Sequence, residues 1–250
     1  MTYLIGLIIA LFITLTGVGA GTITVPILVL FLGVPAPVAV SIGLMFAAVV
    51  KLILVPAQIV RGNVAWRTLG YMLLGGIPGV LIGSLFLKHL ITSGSENVIN
   101  AILGAILVTT ATWQILFSLR PVRQRSEVRD RSRWLSWLMF PVGAEVGFSS
   151  AGAGALGTLA LLSLTPLTAA QVVATDVCFG LVLSLVGGGF HWGFAGSTPA
   201  ILWPLVAGGL AGGIASVYLA GILPSRPLRA MVCLWLIVIG GQLCWKGLGL

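Results

Sequence analysis

The first 50 residues of the chain contain no Asp, Glu, Lys or Arg, yet the stretch TGVGAGTITVP, Thr16 to Pro26, lies within them. Apolar runs of this length are typical of helices that cross a membrane, because a bilayer core of about 30 Å needs about 20 residues. Three glycines within five positions disfavour a continuous helix. The sequence therefore predicts a helix broken at membrane depth, where unpaired backbone groups are costly.

The composition of the whole chain indicates an all-α membrane protein that crosses the cell membrane several times. Of its 250 residues, 58% are hydrophobic and 7% are charged, and the mean hydropathy is +1.15. The alternating pattern of transmembrane β-strands is absent from the sequence. We count eight apolar segments, at approximately 3–32, 38–60, 69–87, 98–117, 134–164, 169–190, 199–223 and 228–245. In a Gram-negative bacterium the expected location is the inner membrane.

One hydrophilic stretch, RPVRQRSEVRDRSR, carries six of the 13 Lys and Arg residues between Arg120 and Arg133. Basic residues next to membrane segments mark the cytoplasmic side. We therefore expect residues 119–133 to form a cytoplasmic loop and not a surface that binds nucleic acid.

An internal duplication is indicated by two glycine-rich breaks, GVGAG and SSAGAG, in the two longest segments. Gly19 and Gly152 lie 133 residues apart, and the same offset pairs similar residues from Gly19 through Gly83. The predicted organisation is two four-segment repeats, 1–118 and 134–250, joined by the loop 119–133. The halves are parallel if each broken segment crosses once and inverted if each is a hairpin of two short helices. We favour inverted repeats, because such transporters commonly contain broken helices.

The broken segments favour a site for an anion. Helix N-termini expose unpaired N–H groups and the positive end of the helix dipole. Glycines would let the backbone approach a ligand, and hydroxyls would donate hydrogen bonds. The candidate substrate-binding residues are Thr16, Gly17, Gly19, Gly21, Thr22, Thr24, Ser149, Ser150, Gly152 and Gly154. The alternative is that these glycines only allow close helix packing.

Two further glycine rows, Gly75/Gly79/Gly83 and Gly208/Gly212/Ser216, have four-residue spacing on one helical face. We interpret them as packing faces between helices. They are also the surfaces through which a homodimer could form.

Three ionisable residues lie within apolar segments, namely Lys51, Glu145 and Asp176. Charges at membrane depth are costly and so are functional candidates. Lys51 is a candidate for substrate binding, and Asp176 and Glu145 are candidates for proton coupling. An ion pair between Lys51 and one carboxylate is the alternative. His191, followed by Trp192 at a segment end, is expected at the membrane interface.

An enzyme is disfavoured by what the sequence lacks. It has two histidines, His89 and His191, and neither an HExxH nor a GxSxG motif. Its cysteines, Cys178, Cys233 and Cys244, have no CxxC spacing. We therefore expect no catalytic residues, no metal and no cofactor. A membrane scaffold would not explain two breaks at equivalent positions.

The motifs resemble a known family. A Gly-x-Gly-x-Gly break followed by Pro26, then AVSIG (Ala39–Gly43), RGNVAWR (Arg61–Arg67) and, in the second half, VVATD (Val172–Asp176), is similar to the TauE/SafE family of sulfite and organosulfonate exporters. The resemblance implies a secondary transporter or facilitator of small anions, often sulfur-containing, with the lipid bilayer as its surroundings.

The membrane potential bears on the direction of transport. Moving one charge through 100 mV is worth about 2.3 kcal/mol. With the cell interior negative, anion efflux is downhill, whereas anion uptake would need co-transported cations such as protons. The sequence favours export over proton-coupled uptake, because only two acidic residues lie in its spans.

Overall fold

A computed structural model describes residues 2–16, 20–118, 130–152, 154–193, 199–219 and 225–248. Within these residues the chain forms ten α-helices and no strand, which confirms the all-α class. In chain order the helices are α1 Thr2–Thr16, α2 Ala20–Phe31, α3 Ala36–Val60, α4 Trp66–Thr92, α5 Glu96–Ser118, α6 Leu135–Ser149, α7 Ala155–Leu164, α8 Ala169–Trp192, α9 Pro199–Leu219 and α10 Ser225–Gly247.

Among the described residues, five helical stretches are long and apolar enough to cross a membrane: α3, α4, α8, residues Glu96–Leu116 of α5 and residues Ala230–Gly247 of α10. The two longest apolar segments are instead divided, the first into α1 and α2 and the second into α6 and α7. In the second segment α6 ends because Ser150 (φ 62°) and Gly152 (φ 88°) adopt left-handed backbone conformations. The helix boundaries therefore fall at the two glycine-rich stretches.

The first glycine row packs α4 onto α6. Side chains at Gly75 and Gly79 would overlap the carbonyl oxygens of Ser136 and Phe140, respectively. Because the residue numbers rise together along both helices, from Gly75 and Ser136 to Gly79 and Phe140, α4 and α6 run in the same direction. Backbones at this separation are possible only where side chains are absent.

The second glycine row packs α9 onto α1 in the same manner. Side chains at Gly208 and Gly212 would overlap the carbonyl oxygens of Tyr3 and Leu7. All four of these residues lie 133 positions before or after their counterparts in the α4–α6 contact. Both rows are packing faces, as predicted. They are covered by helices of the same chain, which corrects the expectation that a homodimer could form through them.

Two other helix pairs are antiparallel. Lys51 of α3 lies against Gly180 of α8, while Leu44 lies against Gly187. Between α5 and α10, the Cys233 Sγ lies 3.8 Å from the Gln114 Oε1, and Gly247 lies against Ala101. In each pair the residue number rises along one helix as it falls along the other.

The ends of several helices meet on one side of the molecule. The backbone N–H of Arg131 donates a hydrogen bond to the carbonyl oxygen of Leu164 over 2.8 Å. The chain just before α6 and the end of α7 are therefore adjacent. The Arg67 and Arg133 guanidinium groups lie close to the Tyr71 hydroxyl, so the start of α4 lies at this end too.

Buried aromatic rings fill the space beside the glycine rows. The rings of Phe46 and Phe179 are fully buried, and they lie against Gly209 and Gly76, respectively. A side chain on either glycine would overlap the ring. The core therefore depends on large residues of α3 and α8 that pack against small residues of α9 and α4.

The packing of α4 predicts that Gly75→Ala destabilises the protein. The added methyl group would meet the Ser136 carbonyl oxygen, and overpacking of this kind typically costs about 1–3 kcal/mol. The measurement is the melting temperature of the purified protein in detergent. Gly70→Ala in the same helix is the matched control, because a methyl group there meets no atom within 4 Å. Equal melting temperatures for the two variants would contradict the helix contact.

Candidate functional site

The second glycine-rich break contacts the start of α2. A side chain at Gly21 would overlap the backbone and hydroxyl of Ser150, and a Cβ built on Gly43 would lie 3.1 Å from the Ser150 hydroxyl oxygen. Ser150 therefore lies between α2 and α3. Its backbone has the left-handed conformation that residues other than glycine rarely adopt. We call the contact among Gly21, Gly43 and Ser150 the break junction.

Two buried serine hydroxyls have no hydrogen-bond partner among the described residues. One belongs to Ser150 at the break junction, and the other belongs to Ser41, two positions before Gly43 in α3. Buried polar groups are nearly always hydrogen-bonded, so an exception needs a physical reason. Both hydroxyls are available to donate to a bound ligand.

Of the other predicted substrate-binding residues, Ser149 has a structural role. Its hydroxyl donates to the carbonyl oxygen of Glu145 over 2.8 Å and accepts from the N–H of Ala151 over 3.2 Å. These bonds hold the backbone where α6 ends. The Ser149 hydroxyl therefore already donates one hydrogen bond and accepts another within the break.

The remaining candidates are distributed around the two breaks. Thr22 and Thr24 are buried in α2, and Gly154 precedes the first residue of α7 with no side chain capping that helix. Thr16 is the last residue of α1. Gly17 and Gly19 lie outside the described residues.

Asp176 is buried against the start of α7. Its Oδ2 accepts a hydrogen bond from the Thr158 hydroxyl over 3.0 Å, and its Oδ1 occupies the space beside Gly157. That second oxygen has no hydrogen-bond partner within the described part of the chain. A side chain at position 157 would displace the carboxylate.

Lys51 is the electrostatic partner of Asp176. Their charges attract each other, and the Lys51 ammonium lies beside Gly180, one helical turn after Asp176 in α8. Of the two alternatives for Lys51, these contacts favour the pairing with a carboxylate. The carboxylate that interacts with Lys51 is that of Asp176 and not that of Glu145.

Glu145 lies at the second break, apart from that pair. Its carboxylate borders Gly152, where a Cβ would lie 2.8 Å from the Glu145 Cδ. The Oε1 atom is enclosed and has no hydrogen-bond partner among the residues that the structure describes. The carboxylate lines a cavity of about 860 Å³ beside α5, α6 and α7.

His191 is placed differently from the prediction. It is 0% exposed, and its Nε2 lies 3.0 Å from the Ser84 hydroxyl oxygen and 2.9 Å from the Gly147 carbonyl oxygen. The expectation of an interfacial histidine is therefore wrong. Trp192, which is exposed, points away from the core, while the imidazole connects α8 to α4 and α6.

Ser41 and Thr158 were not predicted from the sequence, and His191 was predicted at the membrane interface. Thr158 and His191 are isolated polar residues in apolar helices, and no motif or spacing indicates their contacts. The segment AVSIG contains Ser41, so the motif was a usable signal for that residue. The hydrogen-bond partners of Thr158 and His191 are distant in the sequence, so no local pattern predicts them.

The Lys51–Asp176 contact predicts rescue by a double substitution. Lys51→Met or Asp176→Asn alone leaves one buried charge without its partner, which typically costs about 3–5 kcal/mol, whereas removing both is often neutral. The double variant should recover most of the melting temperature that either single variant loses. Lys51→Met with Glu145→Gln is the control and should show no recovery. Additive losses in the first pair would argue against the interaction.

Comparisons with known proteins agree on a membrane transporter. Residues 2–243 match the model of the family described as sulfite exporter TauE/SafE. The chain is 28% identical over 208 residues to the probable membrane transporter protein YjnA of Bacillus subtilis (strain 168), a match that covers 80% of this chain and 82% of the relative. No solved structure matches the chain. The chain is thus a multi-pass membrane protein that belongs to the TauE/SafE family of transporters, which are not enzymes.

Proposed function

We propose that this protein is a secondary transporter or facilitator that exports small anions, most of all sulfur-containing ones such as sulfite or an organosulfonate. The family description names sulfite export. The observation that carries the proposal within this chain is the break junction, where the buried Ser150 hydroxyl, which has no partner in the described part of the chain, lies against the start of α2.

The anion in this proposal binds at the break junction. The N-termini of α2 and α7 follow the two breaks, and their free N–H groups favour negative charge. Ser150 supplies a hydroxyl donor that has no other described partner, and Ser41 of α3, two positions before Gly43 in the chain, supplies a second one. Gly21 lets the start of α2 reach the Ser150 backbone. In this proposal the glycines at 17, 19, 152 and 154 leave backbone groups of the two breaks accessible to the anion.

The proposed architecture is a pair of inverted repeats, 1–118 and 134–250. It is supported by the α4–α6 and α9–α1 contacts, which recur at the offset of 133 residues. Under that offset α3 corresponds to α8 and α5 to α10, and both pairs are antiparallel. Corresponding helices of inverted repeats run in opposite directions. The adjacency of Arg131 and Leu164 supports a hairpin for the second broken segment.

The cytoplasmic side in this proposal is the end that carries Arg67, Arg131 and Arg133. The loop 119–133 ends there, at Arg131 and Arg133, and basic residues favour the cytoplasmic face. The hairpin α6–α7 then enters from the cytoplasmic side and α1–α2 from the opposite side. With the cell interior negative, an anion at a site between them leaves the cell without a coupling ion.

Proton-coupled anion uptake is the second candidate. The observation that favours it is the presence of two carboxylates in apolar segments, Asp176, which is buried, and Glu145, whose Oε1 atom is enclosed, because ionisable groups at membrane depth mark ion or proton paths. If Asp176 carries the proton, Asp176→Asn should still exchange anions but should no longer respond to a pH gradient. An Asn variant that still follows the gradient would exclude Asp176.

Reconstituted liposomes provide the direct test of function. Purified protein is placed in vesicles loaded with sulfite or 2-aminoethanesulfonate, and the potential is set with a potassium gradient and valinomycin. We expect protein-dependent efflux that accelerates when the vesicle interior is negative. Release equal to that of protein-free vesicles for every anion tested would contradict the proposal.

Substitution at the second break tests where the anion binds. Gly152→Ala adds a methyl group beside the Glu145 carboxylate at φ 88°, and we expect it to reduce anion flux. Gly33→Ala is the matched control, because Gly33 also has a positive φ of 63° but no neighbouring atom within 4 Å of its Cβ position. The comparison is made between vesicles that contain equal amounts of folded protein. Equal flux in both variants would show that the break only packs helices.

A further inference from the structure

The cavity beside α5, α6 and α7 is separate from the break junction. It has a volume of about 860 Å³, and most of its lining is apolar. Arg131, Trp134 and Trp137 line it near the start of α6, and Glu145 lines it near the end of that helix. Since Glu145 follows Trp137 by eight residues, the cavity extends about 12 Å along α6.

Glu145 is the acidic residue that lines this cavity. The other polar groups of the lining are the Arg131 guanidinium, three indole N–H groups and three hydroxyls, from Trp113, Trp134, Trp137, Thr109, Thr110 and Ser163. All three hydroxyls donate to carbonyl oxygens of their own helices. No described residue donates a hydrogen bond to the Glu145 Oε1 atom.

The charged and titratable groups around Glu145 are few. Arg131 lies on the same side of α6 but near the other end of the helix, and α7 carries no ionisable residue. From α8, the His191 ring contacts Gly147 of α6. From α4, the described contacts with α6 are made by glycines, Val80 and Ser84, and from α5 the cavity wall carries Thr109, Thr110 and Trp113. No described residue places a cation or a hydrogen-bond donor on the Glu145 Oε1 atom, so the neutral form of the carboxyl group is favoured.

We propose that Glu145 is a proton-binding site, that protons reach it through this cavity from the side of the basic loop, and that its charge acts on the second break. The mechanical link is Gly152, which borders the carboxylate and has a φ of 88°. A proton lets the carboxyl group pack against the Gly152 backbone. An ionised carboxylate draws water into the cavity and loosens this contact. This inference rests on the proposed anion transport, and it adds that protons regulate that transport through Glu145.

A hydrophobic carbodiimide tests the proton site without any transport assay. Reagents of this class modify carboxyl groups in their protonated form, and dicyclohexylcarbodiimide is small enough for a cavity of about 860 Å³. The intact protein in detergent is treated over a range of pH, and modified peptides are identified by mass spectrometry. We expect modification of Glu145 that decreases as the pH rises.

Asp176 is the control within the same molecule. It accepts a hydrogen bond from Thr158, interacts with Lys51 and does not line the cavity, so it should be modified several-fold more slowly. Modification of Asp176 in preference to Glu145, or a rate for Glu145 that does not change with pH, would overturn the proposal. If sodium ions at constant pH protected Glu145 from modification, the site would bind a metal cation instead of a proton. That result would also overturn the proposal.

Thermal stability gives a second readout. Since the ionised carboxylate is the unfavourable form in the folded protein, the wild-type melting temperature should fall as the pH rises through the titration of Glu145. Glu145→Gln keeps the shape and remains neutral, so its melting temperature should fall less over the same range. Identical pH profiles for the two proteins would overturn the proposed effect on the break, whatever the outcome of flux measurements.

Discussion

The structure depends on a constraint of the membrane: backbone groups released by a broken helix must be enclosed by protein or by a polar site. This chain breaks two helices and encloses the second break with α2 and α3, at Gly21 and Gly43. Helices can approach this closely only through small residues. The same requirement accounts for the glycine rows of α4 and α9, which bring those helices against α6 and α1.

The buried ionisable residues occupy two distinct environments. Asp176 has a hydroxyl donor and a nearby ammonium group, so its charge is compensated in part. Glu145 has neither among the described residues, and it lies instead at the wall of a cavity. An uncompensated carboxylate at membrane depth is costly. The contacts of Asp176 link α8 to α7 and α3, whereas those of Glu145 are with the second break and the cavity.

The class, the positions of the two breaks and the role of the glycine rows could be predicted from the sequence, because apolar length, glycine clusters and four-residue spacing are local signals. The partner of Lys51 could not, since Asp176 and Glu145 are equally plausible until α3 is placed against α8. His191 was misplaced for a similar reason. Its neighbour Trp192 is typical of the membrane interface, but only the packing of α8 against α4 and α6 shows that the ring faces inward. Ser41 became notable only after its hydroxyl was found without a described partner.

The central claim is that the anion binds where the second break meets α2 and α3. Crystals grown or soaked with 2-bromoethanesulfonate would locate the anion by the anomalous scattering of bromine. The account predicts a peak at the break junction, with sulfonate oxygens at a hydrogen-bond distance of about 3 Å from the Ser150 hydroxyl. An anion bound elsewhere, such as in the cavity lined by Glu145, with the break junction closed and empty in a protein that still transports, would contradict it.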